Sequence, residues 1–312
     1  MYGIDDGMDG MKMRALEVRD LSVRYGNVTV LEGISMDVEQ GDLLGILGPN
    51  GAGKTTLFNS ILMLQEHEGT VGIFGYTNSA RRSMLPFIGY LPQRFSIDQN
   101  FPATVDDLIS TGLVSLKYMQ RSAHLLERNG YRWDYDPGMS NRERMDEALR
   151  MVGLEHARRK RLGMLSGGEL QRALIAKILV SRPLMLILDE PFTALDQDAQ
   201  ARLLNILKVL NEEMGVTIIV AAHDLMLLMK LAKSIACIDR RLFFHGSKDE
   251  CIATDLMKVY SEHAMHMHMR EHADMNVNMR MSRMMDVDVD AADRVGRYEG
   301  SKEVSKEGRH RP

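Results

Sequence analysis

An α/β fold organised around a phosphate-binding loop is predicted by three observations. Short apolar runs read as buried strands, a glycine-rich loop joins the first of them to a helix, and strand and helix patterns alternate on both sides of a mainly helical stretch. With 312 residues the chain has a length prior of about two domains and is able to bury ~75% of its unfolded surface. Residues 14 to about 92 alternate short strands around the loop helix, about 93 to 165 are helical, 166 to about 245 return to strand and helix, and the rest is a tail. No repeat of solenoid period is visible.

The first strand pattern of note is Asp42-Leu43-Leu44-Gly45-Ile46-Leu47, and residues 55–64 read as a helix. Between them lies Gly48-Pro49-Asn50-Gly51-Ala52-Gly53-Lys54-Thr55-Thr56, which matches G-x-x-x-x-G-K-[ST] in the required context. Glycines 48, 51 and 53 are expected to take positive φ and turn backbone N–H groups toward a polyphosphate, with the new helix aiming its positive end at the same anion. Lys54 then meets the β and γ phosphates, and Thr55 offers a hydroxyl to Mg²⁺. A helix-capping glycine turn would require neither Lys nor Thr at those places.

A second apolar run, Leu184-Met185-Leu186-Ile187-Leu188, is too short for a helix and ends in Asp189-Glu190-Pro191. Adjacent strand side chains face opposite ways, so the two carboxylates divide their roles unless the backbone turns between them, which Pro191 encourages. Asp189 is assigned to Mg²⁺ through its water shell, and Glu190 to general base or water positioning. Between these runs stands Leu165-Ser166-Gly167-Gly168-Glu169-Leu170-Gln171, in which Ser166 and Glu169 read as an N-cap and an acidic first turn, although a cap does not explain paired glycines.

Taken together, these motifs make the chain resemble the ATP-binding cassette (ABC) family, the ATPase subunits of transporters, from residue 14 to about 260. Seven features arrive in the family's order: Tyr25 after a strand, the phosphate loop, Gln93, Ser166-Gly167-Gly168-Glu169, Asp189-Glu190, Ala194-Leu195-Asp196, and His223 after Thr217-Ile218-Ile219-Val220. The resemblance implies a P-loop NTPase core with an antiparallel β-subdomain and a helical signature subdomain, inserted over about 93–165. It implies a head-to-tail homodimer with ATP between the loop of one subunit and the Ser166–Glu169 signature of the other. By the same resemblance Tyr25 stacks on adenine, Gln93 reaches Mg²⁺ or the attacking water, His223 bonds the γ-phosphate, and Asp196 lies across the dimer interface. Integral membrane permease subunits and an extracytoplasmic substrate-binding protein are the implied partners, at the cytoplasmic face of a membrane.

Composition agrees with such a subunit. A net charge of −4 argues against nucleic acid as a partner. The two cysteines, Cys237 and Cys251, form no CxxC and suggest a reducing compartment. Residues 1–13 lack the basic and apolar regions of a signal peptide and are expected to be disordered. The most apolar long stretch, 217–238, is broken by His223, Asp224, Lys230 and Lys233, so no membrane span is expected.

Two regions bear on cargo and partners. Gln93-Arg94-Phe95-Ser96-Ile97-Asp98 and Phe101-Pro102-Ala103-Thr104-Val105-Asp106-Asp107 resemble the zinc and manganese importer branch, against relatives that import chelated iron or cobalamin; Thr104 also reads as a plain helix cap. Residues 113–141, with Lys117, Arg121, Arg128, Arg132, Trp133, Tyr135 and Asp136, read as a solvated surface excursion, and their basic and aromatic content also suits headgroups or a permease. The tail, 261–312, is expected to be disordered. Its His263, His266, His268 and His272 among Met265, Met267 and Met269 suggest metal buffering or sensing. A soluble ABC protein of DNA repair or translation and a non-hydrolysing switch are the other classes. The first lacks its usual paired cassettes here, and the second would normally have lost Glu190 or His223.

Overall fold

The computed structural model describes residues 13–93, 98, 101–193 and 195–253. The expectations for residues 1–12, for Arg94, Phe95, Ser96 and Ile97, for Ala194 and for the His/Met tail fall outside the described residues.

Two sheets carry the fold. Long strands β1 (Arg14–Tyr25) and β2 (Val28–Glu39) pair antiparallel, and β3 (Leu43–Leu47) leads through the phosphate loop into α1 (Lys54–Ile61). Next come β4 (Glu68–Ile73), β5 (Tyr76–Thr77), a 3₁₀ segment Asn78–Phe87 and β6 (Ile88–Leu91). The helical part holds α2 (Val105–Gly112), α3 (Val114–Arg128), α4 (Asn141–Val152) and α5 (Gly167–Leu179). The chain then returns through β7 (Met185–Asp189), α6 (Gln197–Glu212), β8 (Thr217–Ala222), α7 (Leu225–Leu231), β9 (Ser234–Asp239), β10 (Arg241–Ser247) and α8 (Lys248–Ala253).

Order β2-β1-β4-β5 makes an antiparallel four-stranded sheet, and β10-β9-β3-β8-β7-β6 a six-stranded one in which only the β9–β10 pair is antiparallel. Strands β3, β7 and β8 are buried along their whole length, which is why they read as unbroken apolar runs. Because β3, β8, β7 and β6 are parallel neighbours, their C-terminal ends lie along one edge, the place where open α/β sheets present ligand sites. That edge carries the phosphate loop, His223, Asp189 with Glu190, and Gln93.

Three expectations are corrected. Helix α1 ends at Ile61 rather than at residue 64, and Met63 beyond it takes φ +59°. Gly51 and Gly53 have positive φ (+82° and +97°), but Gly48 does not; a Cβ there would stand 2.5 Å from the carbonyl oxygen of Ile238. Gly48 serves close packing on β9, and only the later two glycines serve the curl.

The third correction concerns 113–141, which is not a solvated excursion. Leu116, Met119 and Leu126 of α3 are buried. Trp133 meets Phe87 edge-on at 5.5 Å and stacks on Tyr135 at 4.6 Å, while Tyr131 meets Phe74 at 5.1 Å. The Trp133 indole donates to the Arg182 carbonyl (2.9 Å), Tyr76 hydroxyl to the Leu125 carbonyl (2.9 Å), and the Asn129 amide to the Phe74 carbonyl (2.9 Å). Phe74, Phe87 and Tyr131 are buried and Trp133 and Tyr135 half-buried against the core, and such aromatic pairs add to the apolar area they remove from water.

Candidate nucleotide site

A cavity of about 700 Å³ opens at the sheet edge, lined by Tyr25, Val30, Asn50, Gly51, Ala52, Gly53, Lys54, Thr55, Thr56, Gln93, Glu190, Thr193 and His223. Its floor is the phosphate loop. Gly53 is pressed against β2, where a Cβ would lie 2.5 Å from Leu31 Cδ2, and the Ala52 carbonyl accepts from the Arg240 amide (3.1 Å). Helix α1 has no side-chain cap and no acid in its first turn, whereas α2, α4, α5, α6 and α7 are each capped by a side chain. Its positive end therefore faces the cavity with no capping side chain among the described residues to satisfy its first amides.

Lys54 is buried and donates to the carbonyls of Gly48 (2.6 Å) and Pro49 (3.0 Å), and its Nζ lies 3.2 Å from Glu190 Oε1. Glu190 Oε2 accepts from the Thr193 hydroxyl (3.2 Å) and stands 3.4 Å from His223 Nδ1. The turn between the two carboxylates occurs at Glu190 itself, which takes φ +50° and costs about 1–2 kcal/mol of local strain. That turn brings both carboxylates to one side: Asp189 Oδ2 accepts from the Thr55 hydroxyl at 2.6 Å.

The two carboxyls are pushed apart electrostatically. Burial raises Asp189 above its ordinary value; the Thr55 hydrogen bond and Lys54 oppose, and the charge of Glu190 adds to the rise. Burial also pushes Glu190 up, but Lys54, His223 and the Thr193 hydroxyl together carry it below the ordinary carboxylate value. Tyr90, half-buried on β6, is pushed up to about 12 by that burial and by the charge of Asp189. Glu190 is thus an ionised, anchored carboxylate.

A hard divalent cation fits beside Asp189. Its Oδ1 is buried and has no hydrogen-bond partner among the described residues, and Oδ2 already faces the Thr55 hydroxyl. All-oxygen donors of this kind suit Mg²⁺. Tyr25 is 49% exposed at the end of β1, its hydroxyl held by Gln65 (2.9 Å), so the ring face is available at the cavity rim.

The residues expected to act from a second subunit are elsewhere. Ser166, Gly167, Gly168, Glu169 and Asp196 do not line the cavity. Ser166 caps α5 through a capping box with Glu169, which also pairs with Lys160 (2.9 Å). Asp196 caps α6 by accepting from the Ala199 amide (2.7 Å). A Cβ on Gly168 would meet Ala199 at 3.1 Å, so the starts of α5 and α6 pack together, and the Gln171 amide donates to the Pro191 carbonyl beside Glu190. Thr193 and Val30 were not singled out in the sequence. Thr193 carries no signal beyond following Asp189-Glu190-Pro191, and Val30 is one of several apolar strand residues.

A family model described as ABC transporter matches residues 31–193. The manganese transport system ATP-binding protein of Halalkalibacterium halodurans is 34% identical over 231 residues, 74% of this chain and 85% of that protein. The zinc uptake system ATP-binding protein of Listeria innocua is 31% identical over 239 residues, 76% of this chain and 87% of that protein. Among solved structures, cbiO1 from Clostridium perfringens, described as part of the ABC transporter complex cbiONQ, superposes with a TM-score of 0.63 at 26% identity, covering 82% of this chain and 100% of that one.

Proposed function

This chain belongs to the ABC transporter family as an ATP-hydrolysing subunit, and on that premise we propose that it powers the import of divalent zinc or manganese ions. The observation that carries the cargo is the likeness, across three quarters of the chain, to ATP-binding proteins named for manganese transport and zinc uptake. No helix among the described residues is long and apolar enough to cross a membrane, so the pore is assigned to separate permease subunits. A substrate-binding protein outside the membrane completes the proposed system, and the chain sits peripherally on the cytoplasmic face.

The mechanism uses two copies. In each, the phosphate loop and the uncapped start of α1 receive the triphosphate, Tyr25 stacks on the base, and the other copy brings Ser166, Gly167 and Gly168 to the γ-phosphate, with Asp196 at the seam. Thr55, Asp189 and Gln93 would hold Mg²⁺, which would supply positive charge to offset that developing on the phosphates. Glu190 accepts a proton as water adds to the γ-phosphorus and the bond to the β-phosphate oxygen breaks, leaving ADP and phosphate. His223 holds the γ-phosphate in line and steadies Glu190. Closure and reopening reach the permease through Gln93, at the end of β6.

The test is reconstitution with the membrane partner in vesicles. ATP-dependent accumulation of zinc or manganese is expected, and accumulation of chelated iron or cobalamin alone would reassign the cargo. ATP hydrolysis unaltered by any membrane partner would point to a soluble role.

A further inference from the structure

The outward face of α3 carries a cation at almost every turn. Lys117, Arg121 and Arg128, with His124 between them, are spaced four, three and four residues apart, which aligns them along one side of the helix. All four are exposed. None of the three permanent cations has a hydrogen bond or ion pair among the described residues. Their neighbours differ: Arg142, Arg158 and Arg182 of the same helical region are paired with Asp106, Asp146, Glu147 or Asp134. Two apolar side chains border the stripe, Val114 (57% exposed) and Tyr118 (53%).

The opposite side of this helix is anchored by Leu116, Met119 and Leu126 and by the Tyr76 bond to Leu125. Helix α3 is therefore a fixed surface of about 22 Å, at 1.5 Å per residue over 15 residues. In a chain of net charge −4, a straight row of unpaired cations beside exposed Tyr and Val fits an anionic plane with an apolar layer beneath it.

We propose that the Lys117–Arg121–Arg128 stripe binds anionic lipid headgroups, with Tyr118 and Val114 entering the boundary between headgroups and acyl chains. The stripe lies outside the nucleotide cavity, so this inference stands apart from the cargo and the hydrolytic mechanism. A lipid surface needs no matched partner geometry, only negative charge within a Debye length, and a juxtamembrane cation contributes about fivefold to partition there.

The experiment is flotation of the full chain with vesicles of equal parts phosphatidylglycerol and phosphatidylcholine, against phosphatidylcholine alone, at low and high salt. Expected is binding to the anionic vesicles only, weakened by salt, and lowered on the order of a hundredfold by Lys117→Gln/Arg121→Gln/Arg128→Gln together. A control of equal charge, Arg202→Gln/Lys208→Gln/Lys230→Gln, is expected to bind as the parent does, and basal ATPase activity checks that both variants fold. Absence of anionic preference in the parent, or equal losses in the two variants, overturns the proposal. If the stripe variant keeps its vesicle binding but loses association with the purified permease in neutral detergent, the face is one for an acidic protein and the lipid assignment fails.

Discussion

Lys54 Nζ lies 3.2 Å from Glu190 Oε1, and both side chains are only 5% exposed. In the proposed mechanism the cation that meets the triphosphate is thus paired with the carboxylate that takes the proton from water. Nucleotide entering the loop would then compete with Glu190 for Lys54, and a carboxylate released from the ammonium would become a stronger base. Binding and activation of the base would be coupled through one ion pair.

From this pair, Glu190→Gln is expected to bind ATP more tightly than the parent while kcat falls about 10²–10⁴-fold, the usual worth of a positioned base. Nucleotide titration and phosphate release on the same preparation check both. Undiminished turnover would remove Glu190 from the reaction.

Lys54→Met should abolish nucleotide binding and cost about 3 kcal/mol of stability, because it leaves Glu190 buried without its main counter-charge. The double variant Lys54→Met/Glu190→Gln should recover most of that stability and none of the binding. Urea unfolding of the three proteins tests it; equal losses in the single and double variants would show that the pair is energetically slack.

Acid should act on the two carboxyls with opposite sign. Glu190 sits below its ordinary 4.5 in the folded chain, so its contribution is present above that pH and lost as pH falls through the lower folded value. Asp189 sits above its ordinary 3.8, so its contribution is present below that pH and lost as pH rises through the folded value. As pH rises toward 4.5 the stability difference of parent minus Glu190→Gln should grow, and as pH rises above 3.8 that of parent minus Asp189→Asn should shrink. Parallel slopes would falsify the assignment.

Gly167→Ala separates fold from assembly. Among the described residues no atom beyond its chain neighbours lies within 4 Å of a Cβ built there, and its φ is not positive, so the substitution should leave the melting temperature unchanged or slightly raised. If a second copy packs its nucleotide against this backbone, ATPase activity should drop at least tenfold at unchanged stability. Full activity would argue that nothing approaches Gly167. Gly168→Ala, which meets Ala199 at 3.1 Å, should affect stability as well.

Trp133→Ala is expected to destabilise by about 3 kcal/mol, since the indole packs on Phe87 and Tyr135 and bonds the Arg182 carbonyl. Trp133→Phe, which keeps a ring but loses the donor, should cost about 1 kcal/mol. A change under 0.5 kcal/mol for the alanine variant, a surface-like value, would restore the excursion reading.

The phosphate loop, the Asp189-Glu190 pair and the capping serine and threonine were legible because their chemistry is local. Thr104 and Ser166 each sit just before a helix whose early amides they satisfy, a rule that acts within four residues; Asp196, expected only at a dimer interface, caps α6 in the same way. Residues 113–141 were misread for the converse reason. Their charges lie on one face of α3, whereas the partners of Trp133, Tyr131 and Asn129 are Phe87, Arg182, Arg14 and Phe74, all distant in sequence.

The order of residues by itself determined the strand–loop–helix unit, the buried strands β3, β7 and β8, and the choice of groups proposed to handle phosphate, since these follow from backbone freedom, side-chain period and donor type. Only the tertiary structure decided that Lys54 and Glu190 pair, that Glu190 turns into the left-handed region to stand beside Asp189, and that Gly48 is demanded by Ile238 rather than by a curl. Those outcomes depend on which parallel strands lie next to one another, and strand order is a property of long-range packing that no local pattern encodes.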